Sequence, residues 1–151
     1  MHAKTGTPRW VAAILSWPWL LSIARAALVS AFLIGGIQKL ADFQAAVAEQ
    51  AHFGLQPAWL WAVAAIVVEL GGSALVIAGR WVWLGAGSLG VLTAVAMLAA
   101  NNFWALVGHE RFMAINAFFE HLGLIAGLVI VSICAEETSS HRNRDSQSDL
   151  A

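Results

Sequence analysis

Four runs of about 20 apolar residues, each long enough to cross a hydrocarbon core, are separated along this chain by short polar breaks. They cover roughly residues 19–40, 58–79, 82–102 and 112–134. Ahead of the first, residues 10–17 are apolar but stop at Pro18, which cannot continue a helix without a break. That piece fits an interfacial segment lying at the membrane surface. Between the first two runs, Phe43, Val47 and Ala51 repeat in helical phase before Gly54 and Pro57, predicting a short amphipathic surface helix. The turn at Gly79-Arg80 is so tight that the flanking helices must be antiparallel neighbours. Gly108, His109, Glu110 and Arg111 form the last loop. The pattern predicts an all-α fold, an integral membrane four-helix transmembrane bundle. Residues 1–18 form a cytoplasmic tail and interfacial segment, 19–134 the bundle, and 135–151 a polar tail expected to be disordered.

Composition agrees, at 60% hydrophobic and 11% charged residues over 151 positions and a mean hydropathy of +0.73. The net charge of −1 supplies no basic field for nucleic acid. Cys134 is the single cysteine, so an internal disulfide is excluded. His109-Glu110 begins like the H-E-x-x-H zinc motif, but Met113 stands where the second histidine belongs, and no metal set is expected. Ala24-Arg25-Ala26 has the outline of a signal-peptide cleavage site, yet the apolar run continues past it to Ile37, as an uncleaved first helix would. Trp17 and Trp19, Trp59 and Trp61, and Trp81 and Trp83 mark the starts of three spans, an interfacial aromatic belt. Lys4, Arg9, Arg80, Arg142 and Arg144 fall on one side, against Lys39 and Arg111 on the other. Both termini are therefore expected in the cytoplasm, at a bacterial inner membrane.

The candidate chemistry lies where polar side chains interrupt the apolar runs. Asn116, Glu120, Gly123 and Gly127 step by four, three and four and so share one helix face. That face is expected to point at protein, with Glu120 in a buried polar pocket. A carboxylate at such depth must be paired or protonated, which marks it as either a locking hydrogen bond or a functional group. His121 stands about 100° around the helix and fits a helix–helix hydrogen bond, a proton shuttle or a contact to a carbonyl. Glu69 lies in a mostly small-residue stripe with Ala62, Ala65, Gly72, Val76 and Gly79, close to the expected midplane. Arg25, Phe32, Gly36 and Lys39 share a face of the first span. With both spans placed flush in the bilayer, Arg25 comes within reach of Glu69 and an ion pair is predicted, the alternative being that Arg25 snorkels to headgroups. Gln38, Lys39, Asn101 and Asn102 fall near the outer rim. Glu69, Glu120 and His121 are thus the catalytic candidates. The ligand-binding candidates are Arg25, Gln38, Lys39, Glu69, Asn101, Asn116, Glu120 and His121.

The run G-G-I-Q-K-L-A-D-F closing the first span resembles a signature of the DoxX family. So do V-E-L-G-G-S-A-L-V-I-A-G-R in the second span, N-N-F-W, and F-F-E-H-L-G-L-I-A-G-L in the fourth. The resemblance implies a four-helix membrane protein of the DoxX/DoxD type. Founding members are linked to terminal quinol oxidase and thiosulfate:quinone oxidoreductase complexes, and relatives to assemblies handling oxidative and thiol stress. By similarity, Gln38, Lys39, Glu69, Gly72, Glu120 and His121 occupy the family's patterned positions. The expected function is an accessory or quinone-contacting subunit of a membrane oxidoreductase complex, with no intrinsic cofactor evident and quinone as the ligand. The other readings are a small-molecule or lipid carrier and a structural assembly factor. The expected partners are the lipid bilayer and redox subunits, and Gly123-x-x-x-Gly127 serves either internal packing or a homo-oligomer.

Overall fold

A computed structural model of the chain describes residues 6–100 and 103–148. Its elements are α1 (Arg9–Leu15), α2 (Leu20–Ala41), α3 (Phe43–His52), α4 (Ala58–Ala78), α5 (Val82–Ala100) and α6 (Gly108–Ser148). The four long apolar helices α2, α4, α5 and α6 have the length and composition to cross a membrane, and the chain is an all-α membrane bundle. Local chemistry sets several boundaries. Asp42 alone separates α2 from α3, and its side chain accepts a hydrogen bond from the Ala45 N–H at 3.0 Å, an N-cap. Gly79 ends α4 in the left-handed conformation. There the Gly79 and Arg80 N–H groups donate to the carbonyls of Val76 and Leu75, satisfying the end of the helix.

The four spans run up, down, up and down, so both ends of the bundle lie on one side (the terminal side) and α3 lies on the other. α4 is the central helix, packed against α2, α5 and α3, while α6 packs mainly on α5. Glycines allow the closest approaches. A Cβ added at Gly85 would stand 2.6 Å from the carbonyl oxygen of Gly72, so α4 and α5 touch backbone to backbone. A Cβ at Gly36 would stand 2.8 Å from Leu70 Cδ2 and 3.2 Å from Glu69 Cβ. At the terminal end of the same interface, Arg25 lies against Gly79. These two contacts fix the register of α2 on α4, offset from flush by about seven residues, or ~10 Å along the axis. α2 therefore stops short on the α3 side. The first turns of α4 project beyond it and are covered by α3, with Ala46, Ala58 and Ala62 buried.

The apolar core fills the terminal half. Val29 and Phe32 of α2, Val76 of α4, Val82, Ala86 and Leu89 of α5, and Leu128 and Val131 of α6 form one cluster. On the α3 side, α6 leans on the end of α5 through Phe103 and Phe118, whose rings meet edge to face at 5.6 Å. Two sequence expectations change here. α6 begins at Gly108 rather than at 112, and it continues as helix through Ser148 where a disordered tail was expected. The polar residues after 135 have no membrane to cross, but they extend an already nucleated helix at low cost.

Candidate functional site: a lysine–glutamate pair beside an apolar groove

Glu69 is buried near the middle of α4, and its partner is Lys39 rather than Arg25. The Lys39 ammonium donates to Glu69 Oε1 at 3.0 Å and to Oε2 at 3.3 Å, with side-chain exposures of 20% and 10%. The register explains the change of partner. Because α2 ends short, Lys39 comes level with the middle of α4. Arg25 sits beside Gly79, ten residues or ~15 Å from Glu69 along the helix. Gly35 and Gly36 make the pair sterically feasible. A Cβ at Gly35 would lie 3.5 and 3.7 Å from the Glu69 oxygens and 3.6 Å from Lys39 Nζ, so the charged groups rest directly on the α2 backbone.

The pair opens into a groove of about 670 Å³ between α3, α4 and α5. Trp61, Ala64 and Val68 line it from α4, Trp83, Gly87 and Val91 from α5, Glu49 and Gln50 from α3, and Phe53 from the turn after α3. This volume lies within the range of small-molecule sites. Its walls are almost wholly apolar, and Ser88, which also lines it, spends its hydroxyl on the Gly85 carbonyl at 2.9 Å. Polar recognition is therefore concentrated at Lys39 and Glu69, with Glu49 and Gln50 at the α3 end. Two of the three ammonium N–H bonds serve Glu69, which leaves one donor for a ligand. Glu69 keeps acceptor capacity on both oxygens.

The remaining candidates are spread around this centre. Gln38 is exposed on the outside of α2. Arg25 is half-buried at the terminal end, with Nε lacking a partner among the described residues; it lies beside the C-terminus of α4, where a cation complements the helix dipole. Asn116 is half-buried on α6. Glu120 and Gly123 are exposed, contrary to the expected inward face. The inward stripe of α6 passes instead through Leu124, Leu128 and Val131, since bulky side chains fill a core that glycine would leave void. His121 is half-buried, and its Nδ1–H donates to the Ala117 carbonyl, leaving Nε2 for any other partner. Asn101 and Asn102 lie outside the described residues. Sequence reasoning missed the part of α3 in the groove, although Glu49 and Gln50 are polar neighbours within that amphipathic segment. Among the described residues no cluster of side chains could hold a metal ion.

A family model, DoxX, matches residues 20–102, more than half of the 151-residue chain. The chain belongs to the DoxX family. No curated protein and no solved structure matches it. The DoxX match runs from the start of α2 through the end of α5. It therefore contains the Lys39–Glu69 pair and all the helices that line the groove. Asn116, Glu120 and His121, on α6, lie beyond it.

Proposed function

We propose that this DoxX protein is an accessory subunit of a membrane oxidoreductase complex in a bacterial cytoplasmic membrane, both termini cytoplasmic, and that it contacts a quinone in the α3–α4–α5 groove. The observation that carries this reading is the Lys39–Glu69 pair at the edge of a membrane-embedded apolar groove. A quinone supplies two-electron redox chemistry and needs an apolar bed for its tail and ring, with hydrogen-bonding groups for its oxygens. The residues fit that requirement. The free N–H of Lys39 donates to a carbonyl oxygen, and Glu69 accepts from a hydroxyl. Trp61 and Trp83 offer flat apolar surface. The chain has no redox group of its own in this reading, so electrons are exchanged with the partner subunit.

The test is titration of the detergent-purified protein with a short-chain benzoquinone, read by tryptophan fluorescence quenching. Saturable quenching is expected, reduced in Trp61→Phe. Binding should weaken by about tenfold in Lys39→Met, the loss of one charge-assisted hydrogen bond. Quenching that never saturates, or that ignores Lys39 and Trp61, overturns the proposal.

A further inference from the structure

Where α6 passes α2 in the terminal half, the two helices touch at Gly127, whose added Cβ would stand 2.9 Å from Leu28 Cδ1. Seven residues is two helical turns and returns to within ~20° of the same direction. Two turns toward the α3 side, the successors to that contact are Glu120 on α6 and Gly35 on α2. Gly35 is the backbone surface on which the Lys39 ammonium and the Glu69 carboxylate rest. Unbroken contact between α2 and α6 would therefore lay Glu120 over Lys39. Asn116, a turn further along the same flank of α6, would come level with Lys39.

In the structure the helices part before that point. Nothing lies within 4 Å of a Cβ at Gly123. Glu120 is exposed and, among the described residues, makes no ion pair or hydrogen bond. By that register Glu120 falls level with Gly35 and so with Lys39 and Glu69, one carboxylate paired and the other, among the described residues, unpaired. An unpaired carboxylate in this position is costly, and closing the cleft between α2 and α6 removes the cost without a second protein.

We propose that Glu120 is a second, exchangeable carboxylate partner of Lys39, reached when the α3-side half of α6 closes against α2. Exchange hands the ammonium from Glu69 to Glu120 and leaves the Glu69 carboxylate free to accept a hydrogen bond from a hydroxyl in the groove. That consequence rests on the groove reading above; the exchange itself does not.

The test needs no ligand. In a Cys134→Ser background in lipid nanodiscs, Ala31→Cys and Gly123→Cys stand one turn beyond the Leu28–Gly127 contact, so their disulfide forms as the cleft closes. Glu69→Gln removes the competitor for Lys39 and should speed disulfide formation by about tenfold. Glu120→Gln should slow it by a similar factor. Both effects should vanish in Lys39→Gln. Glu120 is exposed, so Glu120→Gln preserves folding and carries the test alone if Glu69→Gln does not fold. Rates indifferent to Glu120→Gln, or no disulfide in any variant, overturn the exchange. A failed quinone titration leaves this result standing, and the converse also holds.

Discussion

Removing one member of the Lys39–Glu69 pair should cost far more than removing both. Glu69→Leu leaves the ammonium in an apolar site with its two hydrogen bonds at 3.0 and 3.3 Å gone. Breaking a buried pair in this way costs about 3–5 kcal/mol, mostly as the penalty on the stranded charge. Lys39→Met strands the carboxylate instead. That variant should fall within the same range. The double variant strands nothing and keeps similar volume, so it should lie within about 1–2 kcal/mol of the starting protein. The coupling between the two sites is then at least about 4 kcal/mol, above the usual range for contacting residues. The assay is unfolding by SDS titration in mixed micelles, followed by far-UV circular dichroism, for all four members of the cycle. Arg25→Met provides the control. Its side chain lies beside Gly79, ~15 Å along α4 from Glu69, and its effect should add to that of Glu69→Leu. Additive losses at Lys39 and Glu69, or strong coupling between Arg25 and Glu69, would refute both the pairing and the helix register behind it.

Two further perturbations test the parts that shape the groove. Gly85→Ala places a methyl 2.6 Å from the Gly72 carbonyl oxygen and should destabilise by about 1–3 kcal/mol, the cost of overpacking against something that cannot rotate away; Gly87→Ala, with open space at its Cβ, should be neutral or stabilising, and equal SDS midpoints for the two would sink the close α4–α5 approach. Asp42→Ala removes the 3.0 Å cap on α3 and should raise amide exchange across residues 43–52 by the equivalent of about 1 kcal/mol, leaving α4 and α5 protected.

The spans were legible because a helix facing lipid must be apolar over a fixed length, and Pro57 and Gly79 announce the limits of α4. Faces were legible too, which is why Phe32, Gly36 and Lys39 are grouped correctly on α2. Axial offset was not. Periodicity says which residues share a face but nothing about how far one helix slides along another. Here the slide is set by where Gly36 meets Leu70 and where Gly85 meets Gly72, pairwise contacts that no single helix records. The flush alignment assumed from bilayer thickness gave Glu69 the wrong cation. α6 shows a second limit. Its polar-and-glycine face and its Leu124–Leu128–Val131 face both have helical spacing, and bulk rather than polarity decided which one filled the core.

The uneven filling of the bundle constrains how the Lys39–Glu69 pair can exchange with its surroundings. Toward the termini, Val29, Val76, Leu89 and Leu128 are buried with almost no exposure and close the space between the helices. A polar group passing that way would cross a largely apolar layer in which Ser73, one turn from Glu69, is fully buried with its hydroxyl unpaired among the described residues. Beside the pair the groove runs along α5 from Ala99 on the α3 side to Trp83 on the terminal side and opens sideways between α4 and α5. Exchange with the pair is therefore lateral, along this groove. A carrier must present its site to both sides in turn, usually by rocking one structural repeat against another. A lateral opening along the bundle suits the contact proposed above, in which the polar end of a lipid-dissolved molecule is held where a neighbouring protein can reach it.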